Sequence, residues 1–158
     1  MSKHDEVAQL ISDLHWQIDH MRPRGIKDRA GNPYNPSYYK RGLAKPIESG
    51  DDAVVAYIAG YLAKDPSDGF KKLLDAKSLD LACEDLIADP AKPYAALFSP
   101  EERAQANARL EPYRAELDAR KQQERARIDA FKAKYRREGV PANPELEASL
   151  RNRQPPRA

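Results

Sequence analysis

The chain has 158 residues, 41% of them hydrophobic and 33% charged, with a net charge of only +2. That length is about one domain, and its single cysteine, Cys83, excludes an intrachain disulfide. The longest mostly apolar run, Ala53 to Ala63, is far below the roughly 20 residues of a membrane span.

The N-terminus, Met1-Ser2-Lys3-His4-Asp5-Glu6, carries acidic residues where a secretory signal has a basic start and an apolar run. A soluble, cytoplasmic protein without membrane contact is expected. Residues 3–21 read as a first helix, because Val7, Leu10, Ile11, Leu14, Ile18 and Met21 keep the three-and-four spacing of one buried stripe. Trp16 falls on the opposite side, beside His20, and is a candidate contact with a partner unless another element of the chain covers it.

Between Arg22 and Pro46 the periodicity disappears, and four prolines and three glycines predict an irregular loop over 22–46. Residues 22–45 hold seven basic residues against one acidic. Arg22, Arg24, Lys27, Arg29, Lys40, Arg41 and Lys45 are interleaved there with Tyr34, Tyr38 and Tyr39. Cations that neutralise phosphates beside rings that stack on bases are what binding to flexible nucleic acid uses. The competing reading docks this loop on the chain's own acidic stretch 46–98, which holds five basic and ten acidic residues.

Helices are predicted after Gly50-Asp51-Asp52, after Pro66-Ser67-Asp68 and from Ser78. In the first of these, Val54, Val55, Tyr57, Ile58, Tyr61 and Leu62 surround the circumference, which predicts the central helix of the domain. Ala53, Ala56, Gly60 and Ala63 form a small-residue stripe that would admit a close neighbour. The third helix of this group turns Leu79, Ala82, Cys83, Leu86 and Ile87 inward, so Cys83 reads as a buried, inert thiol.

Ser99-Pro100-Glu101-Glu102 opens a long helix with a capping serine and a proline at its first position. Pro112 should kink or divide it near Glu111. Beyond that point apolar side chains gather at two places, Tyr113 and Leu117, then Ile128, Phe131 and Tyr135. Residues 120–137 hold eight basic and two acidic side chains, including Arg120, Lys121, Arg125 and Arg127. Gly139-Val140-Pro141 is expected to stop the helix, and a short helix over 144–150 and a basic, Pro-containing tail complete the chain.

The expected architecture is all-α. A small four-helix domain spans 3–98 with its irregular loop, a kinked or split long helix spans 99–138 as a protruding arm, and 139–158 form the tail. No phosphate loop, HExxH, paired CxxC or GxSxG is present, so no cofactor or metal is expected and catalysis is set aside. An enzyme working through His15, His20 or the Asp51/Asp52 pair is the remotest reading. The leading expectation is a non-enzymatic interaction subunit, an adaptor, assembly or regulatory protein. It would dock on a protein or larger assembly through its C-terminal arm and the basic loop, with Tyr113, Leu117, Ile128, Phe131, Tyr135 and Trp16 as the contact residues. The alternative is a DNA- or RNA-associated protein using the basic segments 22–45 and 120–137, and self-association stays open.

Overall fold

The computed structural model of the chain describes residues 1–28 and 30–138, apart from the side chains of Tyr38 and Glu138. The fold is all-α. Among the described residues seven α-helices run in the order α1 (Lys3–Met21), α2 (Ser37–Ser49), α3 (Asp51–Leu62), α4 (Asp68–Asp75), α5 (Cys83–Ala88), α6 (Pro100–Leu110) and α7 (Arg114–Glu138). No β-strand occurs among the described residues; an isolated antiparallel bridge joins Lys27 and Pro33. The described residues divide into two units, the first ending at Arg120 and the second beginning at Lys121.

Helix α1 begins at Ser2, whose hydroxyl accepts from the Asp5 amide while the Asp5 carboxylate accepts from the Ser2 amide. Val7, Leu10, Leu14, Ile18 and Met21 are buried along one stripe, with Ile11 half-buried beside them. Gln17 is buried on the same helix, and its side-chain amide donates to the carbonyls of Asp80 and Ala82. It thereby satisfies backbone acceptors at the point where the chain leaves a 3-10 turn, Leu79–Leu81, to enter α5.

The irregular loop is shorter than the sequence predicts. Only residues 22–36 lie outside helices, and 37–49 form α2 with Pro46 inside it. A proline there withdraws one helical hydrogen bond, but Tyr39, Leu43 and Ile47 lie four apart on one face and pack against the core. Leu43 is fully buried. Burial of that face outweighs one missing bond near the helix end. Gly42 lets α2 approach α3 closely, since a Cβ there would lie 2.6 Å from the Tyr57 hydroxyl. In the remaining loop the Asp28 carboxylate accepts from the amides of Ala30 and Asn32, and Gly31 takes φ +82° to complete the turn.

The central helix is α5, not α3. All six residues of α5 are buried, including Glu84 and Asp85. Helix α3 instead buries only the i, i+4, i+8 row Val54, Ile58 and Leu62. Its small-residue stripe is open over most of its length among the described residues: Ala53 is half-buried, Ala56, Gly60 and Ala63 are exposed, and nothing approaches within 4 Å of the Gly60 Cβ direction. The physical reason lies in α3's tyrosines. Tyr57 and Tyr61 are long enough to reach the core from the flank of the helix while staying half-buried.

Pro112 divides the C-terminal helices as expected, within a 3-10 turn Glu111–Tyr113 between α6 and α7. The domain boundary expected at residue 98 does not hold. Ala106, Leu110 and Leu117 are buried in the same core as α1, and Tyr113 packs on it. These apolar positions are spaced by four, three and four residues, so they return to one side of the chain despite the charges between them. The C-terminal stop at Gly139-Val140-Pro141, the short helix over 144–150 and the tail lie outside the described residues.

Candidate functional site

Two of the expected contact residues belong to the fold itself. Leu117 is 2% exposed and Tyr113 is half-buried against the core, so neither is presented to a partner. Ile128 and Phe131 differ sharply, at 48% and 61% exposed. The Tyr135 ring lies 5.0 Å from that of Phe131 in a tilted arrangement, which makes a short aromatic-aliphatic row along α7. Trp16 is 52% exposed, and its ring stacks on His20 at 4.0 Å. About half of that tryptophan therefore stays open among the described residues.

The basic constellation over 22–45 is dispersed by the fold. Arg24 pairs with Asp80 at 2.6 Å, both side chains being nearly buried. Lys40 pairs with Asp19 at 2.8 Å, and the hydrogen bond from Lys40 holds the Asp19 carboxyl below its ordinary range. Tyr34 and Tyr39 turn toward the interior, where burial raises both phenols. Arg22, Lys27 and Arg41 remain exposed, and the Arg41 Nε donates to the Ser37 carbonyl. Arg29 and the Tyr38 side chain lie outside the described residues. In the 120–137 segment Arg120 and Lys121 are half-buried, while Arg125 and Arg127 are exposed, Arg127 pairing with Glu124 at 3.0 Å. Among the described residues of the set, Arg24, Lys40, Tyr34 and Tyr39 are thus engaged within the chain. Self-docking takes Tyr34 and Tyr39, whose rings pack against the apolar core.

The structure also builds a buried polar knot that no sequence motif marks. From α6, Arg109 reaches Glu84 of α5 at 3.1 Å and the Leu62 carbonyl at the end of α3 at 2.8 Å, and it also donates to the Lys64 carbonyl. The guanidinium and the carboxylate are both under a tenth exposed. Burial pushes the Glu84 carboxyl above its ordinary value, and the Arg109 charge opposes that shift without reversing it. The Cys83 thiol donates to the other Glu84 oxygen at 3.6 Å. One signal is present in the sequence: Glu84-Asp85 interrupts a run that is otherwise apolar from Leu81 to Ala88.

Beside this knot lies a cavity of about 530 Å³, bounded by α1, the 22–36 loop and helices α2 to α5. Four phenol rings, Tyr34, Tyr39, Tyr57 and Tyr61, line it, with Cys83 and Glu84 among the deeper wall residues. The Tyr61 hydroxyl shares a 2.5 Å hydrogen bond with that of Ser67, the residue that caps α4. The Lys72 ammonium sits 4.7 Å from the centre of the Tyr34 ring.

The groups weighed as catalytic are occupied structurally or lie apart. Asp51 faces His4 at 3.0 Å and Asp52 pairs with Lys3, so the two aspartates join the first turns of α1 and α3. His20 Nδ1 meets the Trp16 carbonyl at 2.7 Å. Among the described residues no group of three or more His, Cys, Asp or Glu side chains is placed to hold a metal ion, and no helix is long and apolar enough to cross a membrane.

Cys83 provides a direct check on the packing. Burial raises its thiol well above the ordinary value, with the Glu84 carboxylate adding to the effect. Reaction with a thiol reagent at neutral pH is expected only as fast as the unit unfolds, and full reactivity is expected in denaturant. Rapid labelling of the native chain would show that the α5 wall opens without global unfolding.

No protein-family model, no curated protein and no solved structure matches this chain.

Proposed function

We propose that the chain is a non-enzymatic interaction subunit, an adaptor or assembly protein of the cytoplasm that docks on a protein partner through α7. The observation that carries this reading is the exposure of Ile128 and Phe131 on a helix whose other side chains are mostly charged. Large apolar side chains at i, i+3 and i+7, with Tyr135 completing the row, are the anchors by which an amphipathic helix enters a groove. Around them stand Arg125, Arg127, Lys132, Lys134, Arg136 and Arg137, against Glu124 and Asp129. The matching partner surface is an apolar groove rimmed by aspartate and glutamate. Charge on the rim speeds encounter, and the buried rings hold the complex.

The nucleic-acid reading has less support. Arg24, Lys40, Tyr34 and Tyr39 are engaged within the chain, which removes them from a phosphate-binding set.

A photo-crosslinking amino acid at position 131, followed by affinity capture with and without nuclease, tests the proposal. A discrete protein adduct is expected that survives nuclease and is lost in an Ile128→Glu/Phe131→Glu chain of unchanged thermal stability. Capture that disappears with nuclease, or that is indifferent to the double substitution, overturns it.

A further inference from the structure

We infer that the tyrosine-lined cavity between α1 and helices α2 to α5 is a binding site for a small, flat, uncharged ring compound. Its volume of about 530 Å³ falls within the range of small-molecule sites, roughly 300–1,000 Å³. A ring that displaces water from these walls removes its own apolar surface and theirs from solvent, which favours binding. The walls combine aliphatic side chains, Met21, Leu73 and Leu81, with the four phenol rings. Aromatic faces favour another ring in offset or edge-to-face contact. Such a wall selects flatness over bulk.

Charge decides the rest of the class. Glu84 is answered by Arg109, and Lys72 already lies over the Tyr34 ring. Asp68, the third charged residue of the lining, is exposed and has a partner of its own. Deeper polar groups are likewise engaged: the Cys83 thiol with Glu84, the Tyr61 hydroxyl with Ser67, and the Gln17 amide with two carbonyls. A charged ligand would leave its hydration shell for walls made mostly of aliphatic and phenol groups, which disfavours it. A neutral ring loses little on entry. The way in is marked by exposure, since Asn35 and Asp68 face solvent while Leu81 and Glu84 are buried.

Methionine gives a specific readout. The chain has two, Met21 in the cavity wall and Met1, which is exposed. With methyl-13C methionine in the full chain, titration with 2-naphthol is expected to shift the Met21 methyl saturably by ring current and to leave Met1 in place. The anionic 2-naphthoate and the cationic 2-naphthylmethylammonium are expected to bind at least tenfold more weakly. Gly69 lies in the lining, and a Cβ there meets Ser67 and Tyr34 at ordinary distances of 3.5 and 3.6 Å. A Gly69→Leu chain is therefore expected to fold, as judged by its thermal unfolding, and to bind 2-naphthol at least tenfold more weakly. No saturable Met21 shift with the neutral probe overturns the inference, as does a charged probe that binds as well or better. Undiminished binding by folded Gly69→Leu overturns the location. Should that variant not fold, the three-probe comparison on the wild-type chain still decides.

Discussion

An Arg109→Met chain is expected to lose about 3–5 kcal/mol of unfolding free energy, read from urea denaturation. The substitution keeps most of the side-chain volume and removes the charge. It leaves Glu84, fully buried, without its cation, and it strips the Leu62 and Lys64 carbonyls of their donor at the end of α3. Three elements lose a common tie, because Arg109 belongs to α6, Glu84 to α5 and the two carbonyls to the end of α3 and the residues after it. Adding Glu84→Gln to the Arg109→Met chain should restore part of the loss, since a neutral amide is far less costly to bury than an orphaned carboxylate. A loss below about 1 kcal/mol for the single substitution would mean that the pair is solvated and ties nothing together.

The same pair has a pH signature. Burial keeps the folded-state value of Glu84 above the 4.5 of an unfolded glutamate. Between those two values the folded chain holds the proton more often than the unfolded chain does, so stability declines as pH rises through that window. Below 4.5 this contribution is fully present. A Glu84→Gln chain lacks it, so the stability difference between wild type and variant should move in favour of the variant on going from acid to neutral pH. Movement in the opposite direction would show that Arg109 overrides burial and holds the carboxyl low.

Leu117→Ala is expected to destabilise the first unit by about 2–5 kcal/mol, whereas Phe131→Ala should fall within about 0.5 kcal/mol of wild type. Both residues sit on α7 at superficially similar places in an apolar-poor helix. Leu117 is nonetheless a core residue at 2% exposure, and Phe131 is 61% exposed. Truncation follows the same logic. A chain ending at Arg120 keeps every buried apolar residue of the core and should unfold cooperatively, while one ending at Glu111 loses Leu117 and Tyr113 and should be markedly weaker. Equal stability of the two truncations would place the end of the body before α7.

Much of the helical pattern was legible in the residues. The α1 stripe from Val7 to Met21, the caps at Ser67 and Ser99, and the break at Pro112 each depend on neighbours within a few positions. Such signals survive in any tertiary context, because capping and periodicity are local. Helix α2 was hidden for the opposite reason. Pro36, Gly42 and Pro46 are unfavourable taken one by one, and only the docking of Tyr39, Leu43 and Ile47 repays them. Ala106, Leu110 and Leu117 were obscured by the charged residues around them, one of which, Arg109, proved to be buried with a partner 25 positions earlier.

Trp16 and the Ile128–Phe131–Tyr135 row could be picked out from the sequence alone as apolar groups on polar stretches. The cavity could not. Its four tyrosines come from the loop, α2 and α3, and whether a phenol faces phosphate or core depends on what packs beside it.

The sequence by itself determined an all-α chain, the break at Pro112 and the charge of each segment, since these follow from spacing and side-chain type. Tertiary structure alone decided which charges are buried in pairs, which tyrosines enclose a hollow, and that the body extends to Arg120. Those outcomes rest on contacts between residues far apart in the chain, whose energies exist only once the helices have met.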